Sequence, residues 1–385
     1  MTAPRLDVRL DRIHHNARTL VERLAPRGIA VTGITKATLG SPGVASALVA
    51  AGVSALGESR VEGLERLRAA GLGVPLVLVR SPMPSQVERV VAAADVSFNT
   101  EPGVLAALAE AARRQGRVHG VVLMVELGDL REGLLPADVE PVARQVAASP
   151  HLHLRGIGAN LACQSGVVPD DDNMAELSTL ATGLEASLGI RLATVSGGNS
   201  ANLAWVFATG AVGRVDDLRL GESILLGTDP LDRLPLDGLR TDAFTLVAEV
   251  IEAKVKPTQP WGAVGPSAFG APPRAADRGL AQRAIVALGE QDVDSGDLTP
   301  PPGVTVLGAS SDHLVLDTGR LVLEPGDEVR FGVGYRALLR AMTSPFVART
   351  YLRPPASATA RPHRPEEPLR HLPHGASRGR LAADR

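Results

Sequence analysis

The chain has 385 residues, 44% hydrophobic and 21% charged, with 40 basic against 42 acidic residues and a net charge of −2. That length supports two to three domains with a sizeable core. The charge balance, with only six Phe, two Tyr and two Trp, argues against a nucleic-acid partner, which needs a basic face or a stacking platform.

The opening segment RLDVRL, from Arg5, reads as a strand. From about residue 11 to 225, short apolar runs alternate with amphipathic stretches. The runs fall at Ile29–Thr35, Val53–Leu56, Leu76–Val79, Val96–Phe98, Val121–Glu126, Leu154–Gly158, Leu192–Ser196 and Leu218–Leu220. Helical patterns lie between them, among them Ser59–Ala70, Glu101–Arg114 and Asp171–Leu188, as βα units require. Eight such repeats predict an α/β fold, a TIM-type (β/α)8 barrel, because an open doubly wound sheet usually has fewer strands. After about residue 230 the texture changes to short runs at Phe244–Lys254, Ala284–Leu288, Val304–Leu307, Leu314–Leu316 and Glu328–Phe331. Pro/Gly turns separate them, and one helical period follows at Tyr335–Met342. The expected organisation is a barrel over 11–228, a C-terminal β-rich domain over 229–352 joined by residues 1–10, and a disordered Pro/Arg-rich tail over 353–385.

A single cysteine, Cys163, excludes an intrachain disulfide framework and a CxxC zinc site. No run approaches the roughly 20 apolar residues of a membrane span, and the N-terminus has no apolar signal core. A cytoplasmic protein with no membrane partner is the expectation.

Only three of the 40 basic residues are lysine: Lys36, Lys254 and Lys256. A composition biased toward Arg and Ala erodes surface lysines first. A lysine that survives is a candidate for amine chemistry that arginine cannot perform. The active site of a (β/α)8 barrel forms at the C-terminal ends of its strands. Lys36 follows the first run directly and meets that condition. Lys254 and Lys256 lie beside a turn of the β-rich domain and read as surface residues. The seventh run ends in Ser196-Gly197-Gly198-Asn199-Ser200, ahead of a helical stretch, and the eighth ends in Arg219-Leu220-Gly221-Glu222. Glycines admit an anion to backbone amides, Ser and Asn add donors, and these two loops are the habitual phosphate site of such barrels. A carbonyl-reactive lysine facing a phosphate cradle points to pyridoxal 5′-phosphate.

Eight motifs occur in order: ITKATLG (34–40), VELGDLREG (125–133), IGANLAC (157–163), SGGNS (196–200), LRLGESILLG (218–227), ALGEQDVD (287–294), GASSDH (308–313) and YRALLRAMTSP (335–345). Through them the chain, from about Arg5 to Ala348, resembles the fold-type III pyridoxal-phosphate enzymes, the alanine racemase superfamily, and within it the ornithine racemase type. The resemblance implies a racemase that interconverts L- and D-amino acids by α-proton transfer through a Lys36 aldimine, on ornithine, another basic amino acid or alanine. By position Lys36 matches the family lysine, which is also one proton-transfer base. Arg219 matches the arginine facing the pyridine nitrogen, and Arg131 the one that contacts the ring oxygen and the substrate carboxylate. Asn160 stands where alanine racemases carry a histidine beside the ring. Ser200 and its neighbours Ser196, Gly197, Gly198 and Asn199, with Gly221 and Glu222, match the phosphate cradle, and Tyr335 a phosphate-binding tyrosine from the second domain. Family sites are completed across a subunit interface, so a head-to-tail homodimer is implied.

The departures are specific. The family's second base, a tyrosine of the partner subunit, has no counterpart in PWGAVGPSAFG (260–270), and its other phosphate tyrosine is replaced by Gly40. His313 is the substitute base this sequence offers, with Asp312 orienting it or reading the substrate amine; a turn or interface role for both stays open. Cys163 reads as a buried small apolar residue, with a site residue as the alternative. Asp129 and Glu132 read as exposed loop carboxylates, with contact to a cationic substrate as the alternative. Other fold-type III activities also stay open. The D-amino-acid dehydratase and aldolase types use a metal, commonly with a His and a Cys, and the basic amino-acid decarboxylases use a second-domain cysteine. No cysteine follows residue 163, and no metal is expected. Non-catalytic cofactor carriers of the superfamily lack a second domain.

Overall fold

A computed structural model describes residues 3–265 and 277–352. The tail over 353–385 and residues 266–270 of the 260–270 segment lie outside the described residues.

Strand β1 (Arg5–Arg9) precedes a helix over Leu10–Leu24. Eight parallel strands then follow: β2 (Ala30–Ile34), β3 (Ala55–Glu58), β4 (Leu76–Leu78), β5 (Val96–Asn99), β6 (His119–Met124), β7 (Leu152–Gly158), β8 (Thr194–Gly198) and β9 (Asp217–Leu220). They pair in chain order, and β9 returns to β2 to close the barrel. The connecting helices begin and end where the sequence dictates. Pro42, Pro102 and Pro136 open three of them, Gly71 and Gly189 close two in the left-handed conformation, and Asp170 with Asn173 forms a capping box for Asp171–Leu188. Strand alternation sends one set of side chains inward. Ala55, Val77, Phe98, Val122 and Met124 fill the barrel, while a larger apolar layer lies between strands and helices.

The second domain is an antiparallel sheet built from β10 (Phe244–Pro257), β11 (Leu280–Val286), β12 (Leu298–Thr299), β13 (Thr305–Ala309), β14 (Leu314–Asp317) and β15 (Glu328–Val333). Its order is β12-β15-β10-β11-β14-β13. A helix over Tyr335–Thr343 follows β15, and β16 (Ala348–Leu352) runs parallel to β1, which itself pairs with β10. The fold expected from the sequence is therefore present. The differences are local. β11 starts at Leu280 rather than Ala284, and β16 and β12 were not anticipated. Leu280, Thr299 and most of β16 are partly or fully exposed, so these segments carry no buried apolar run to announce them.

Candidate active site

The C-terminal ends of the barrel strands open into a cavity of about 540 Å³ that gathers Lys36, Ser59, Arg80, Arg131, Asn160, Ser200, Arg219, Glu222 and Tyr335. A second cavity of similar volume lies at the opposite end of the barrel between Arg27, Arg191 and Arg214, and holds no nucleophile.

Lys36 is exposed at the first residue of a short 3-10 turn after β2. That turn is held from below. The Thr35 hydroxyl donates to a Glu58 carboxylate oxygen at 3.0 Å, and Gly40 N–H donates back to the Thr35 carbonyl. Gly40 has φ +64°, and a Cβ there would lie 2.7 Å from the Gly63 carbonyl oxygen. No tyrosine fits at that position, which accounts for the missing family side chain.

Arg219, on β9, is 5% exposed and lies 5.0 Å over the Phe98 ring. Its Nη1 donates to Ser196 Oγ at 2.6 Å, and its Nη2 donates to the Ala159 carbonyl at 2.7 Å and to Asn160 Oδ1 at 3.2 Å. Ser196 in turn donates to Asp217 at 2.5 Å, and Thr32 donates to the other Asp217 oxygen. Burial lowers the Arg219 pKa, with Asp217 opposing it; burial likewise raises the Asp217 pKa. No direct Arg219–Asp217 ion pair forms among the described residues, and Nε of Arg219 has no partner among them.

Asn160 lines the cavity with its Nδ2 buried and without a hydrogen bond. Its Oδ1 accepts from Asn199 Nδ2 at 3.1 Å. Ser200 Oγ accepts from the Ser223 amide, which joins the loops after β8 and β9. Tyr335 arrives from the second domain at the start of its helix, where Asp297 accepts from the amides of Arg336 and Ala337. Burial pushes the Tyr335 phenol upward. The other tyrosine, Tyr351, is outside the cavity and accepts from Ser41 at 2.9 Å.

Several expected positions are placed differently. Ser196 and Gly197 do not line the cavity: the Ser196 hydroxyl is spent between Asp217 and Arg219, and Gly197 packs against Val215. Gly198 backs onto the Asn202 side chain. Of the residues expected in the cradle after β8 and β9, Asn199, Ser200, Gly221 and Glu222 line the cavity. Cys163 is exposed at the cavity, not buried. Asp129 is 1% exposed, not on the surface. Burial would raise its pKa, but the amides of Gln164, Cys163, Val167 and Ser165 donate to the carboxylate and hold it low. It thereby ties the loop after β6 to the loop after β7. Glu132 lines the cavity and pairs with Arg131, whose guanidinium its carboxylate holds above the ordinary value. Asp312 and His313 are exposed in the turn between β13 and β14, with His313 Nδ1 and Asp312 Oδ1 at 2.8 Å, and neither lines the cavity of its own chain.

Sequence reasoning missed Glu58, Arg80 and Asp217. Asp217 carried a signal: it shares a strand face with Arg219 two residues on. Glu58 carried none, because its contact with Thr35 exists only once β2 and β3 are paired.

Residues 8–230 match the family model for the alanine racemase N-terminal domain. The chain belongs to the alanine racemase family. It is 40% identical over 354 residues to the lysine racemase of Thermotoga maritima, spanning 91% of this chain and 99% of that protein. It is 34% identical, with the same coverage, to the ornithine racemase of Acetoanaerobium sticklandii. Among solved structures, the alanine racemase of Streptomyces lavendulae aligns with a TM-score of 0.71 at 22% identity, over 91% of this chain and 98% of that one. The D-threonine aldolase of Filomicrobium marinum aligns with 0.67 at 18%, over 89% of each. These likenesses describe the shared fold, which several reactions use. No described helix is long and apolar enough to cross a membrane.

Proposed function

We infer that this chain is a pyridoxal 5′-phosphate-dependent amino-acid racemase acting on a basic amino acid. The observation that carries the inference is exposed Lys36 at a cavity that the largely buried Arg219 also lines. The donors fit the cofactor: the buried, unpartnered Asn160 Nδ2 suits an oxygen, and the Arg219 guanidinium the nitrogen, of a substituted pyridine ring. Ser200, the backbone of Gly221–Glu222 and Tyr335 would hold its phosphate. When bound, the cofactor supplies a carbonyl that captures the substrate amine and a conjugated ring that accepts the electron pair left at Cα.

The chain's own groups do the rest. Lys36 takes the α-proton from one face and returns it there in the reverse direction. Arg219 donates hydrogen bonds without giving up a proton, so it favours prompt return of the proton over accumulation of a carbanion. We assign the opposite face to His313 of a second copy, oriented by Asp312; its exposure on a sheet turn supports a role across a head-to-tail dimer. The Glu132 and Glu222 carboxylates line the cavity and suit a side-chain ammonium. The likeness to lysine and ornithine racemases supports the same substrate class.

Chiral chromatography after incubation of the holoenzyme with L-lysine, L-ornithine and L-alanine tests this. The D-enantiomer of a basic amino acid accumulates toward equal amounts, and Lys36→Ala abolishes it. Conversion of alanine alone would overturn the substrate class, and no D-amino acid from any of the three would overturn the activity.

A further inference from the structure

We propose that Glu58 is a positioning residue for Lys36, fixing the direction from which the lysine amine meets the substrate's α-carbon. The proposal rests on the racemase reading and concerns the Lys36 face of the substrate alone. Lys36 is the exposed member of a turn whose other residues, Thr35, Ala37 and Thr38, are buried. Thr35 holds that turn together. Its carbonyl accepts from the Thr38 amide at 2.9 Å, the Thr38 hydroxyl at 3.0 Å and the Gly40 amide at 3.2 Å, and its own amide donates to the Gly57 carbonyl. A rotation of Thr35 therefore carries Lys36 with it.

Glu58 sets the Thr35 side chain. At the end of β3 it accepts the Thr35 hydroxyl on Oε2 and the Ser59 amide on Oε1. Ser59 lines the same cavity as Lys36, so one carboxylate ties two of its walls together. The far end of the turn is held from the same side. Arg66, on the helix Val61–Ala70, donates Nε to the Leu39 carbonyl at 2.9 Å, where Leu39 and Gly40 both take the left-handed conformation. The helix Tyr335–Thr343 of the second domain packs on the turn as well.

Stability alone does not call for an acid here. Desolvating a carboxylate is unfavourable, and a well-packed apolar group of similar volume often serves a fold as well. What the carboxylate adds is two acceptor oxygens and no donor, so both neighbours must turn their hydrogens toward it and the Thr35 rotamer is fixed. Proton transfer needs the amine within hydrogen-bond reach of the α-proton and aligned with it. Glutamine preserves this bridge without the charge. Its carbonyl accepts from Ser59, and its NH2 donates to Thr35 Oγ1, whose own proton turns to the Gly57 carbonyl 3.2 Å away.

The test compares the wild-type protein with Glu58→Ala, Thr35→Val and Glu58→Gln, each checked for unchanged thermal unfolding. Thr35→Val keeps the shape of the side chain and removes only the hydroxyl that Glu58 accepts. Amide hydrogen exchange without cofactor reads the turn directly. The Thr38 and Gly40 amides exchange faster in Glu58→Ala and Thr35→Val, and at the wild-type rate in Glu58→Gln. With lysine as substrate of the holoenzyme, kcat/KM falls about tenfold to a hundredfold in the first two variants, the penalty of a misplaced reacting group. It falls equally for both enantiomers, because they are equally stable. The decisive reading is the kinetic isotope effect with Cα-deuterated L-lysine and D-lysine. It rises for the enantiomer whose proton Lys36 takes and does not rise for its mirror image, since only the Lys36 step is slowed. Glu58→Gln restores the wild-type values. An isotope effect that rises for both enantiomers or for neither would overturn the proposal, as would a Glu58→Gln enzyme as impaired as Glu58→Ala. A wild-type holoenzyme that racemises neither enantiomer, in a protein whose turn amides respond as stated, would refute the racemase reading instead.

Discussion

Glu58 is 1% exposed beneath the Lys36 turn, accepting from Thr35 Oγ1 and from the Ser59 amide at 2.7 Å. Burial raises its pKa. Gly63 makes room for it, since a Cβ at 63 would lie 2.5 Å from Glu58 Cγ. Gly63→Ala therefore lowers the unfolding free energy by about 1–3 kcal/mol, the cost of overpacking, measured by urea denaturation. Asp217→Asn is costlier. It removes the carboxylate that, through Ser196, balances the buried Arg219 charge, and about 3–5 kcal/mol of stability goes with it on the same measurement. At this scale the sequence shows which side chains line the cavity better than what supports them. Lys36 stood out by rarity and strand-end position, and Arg219 and Arg131 by their motifs. Cys163 and Asp129 were misplaced in opposite directions, because exposure in a loop depends on which neighbouring loop packs over it. Composition and spacing do not contain that information.

Between elements, the joint of the second domain is β1. Arg5, with its side chain 8% exposed, reaches across β10 to the carboxylate of Glu328 on β15, at 2.6 and 2.8 Å. Arg5→Ala removes a bidentate pair and costs about 1–2 kcal/mol, discounted because Glu328 is partly solvated. Faster hydrogen exchange of the β1 amides, with barrel amides unchanged, is the expected signature. All eight barrel strands were legible, each within two residues or so at most ends, because a parallel strand buried on both faces is a continuous apolar run between helical periods. The β-rich domain was less so. Its strands are half exposed, and β11 is defined by its pairing with β10, not by its own pattern.

For the whole molecule, a buried histidine contributes to the loss of stability in acid. His119, at the start of β6, is 2% exposed, and burial lowers its pKa to about 4. Asn99 Nδ2 donates to Ser97 Oγ, which leaves the Ser97 hydroxyl to donate to Nε2 of a neutral ring. The unfolded chain binds a proton near pH 6.5 that the fold refuses until about pH 4. This contribution is intact above pH 6.5 and fades as pH falls toward 4, by about 2–3 kcal/mol in all. His119→Gln flattens the loss of unfolding free energy between pH 6.5 and 4.5. The central claim concerns the other end of the barrel, where Lys36 exchanges the substrate's α-proton above Arg219. Incubating the holoenzyme with L-lysine and with D-lysine in deuterium oxide, and following Cα deuteration by mass spectrometry, tests it most directly. The account predicts deuterium at Cα from both enantiomers in the wild type and none from either in Lys36→Ala. Exchange that survives Lys36→Ala, or a wild-type enzyme that labels neither enantiomer, would contradict it.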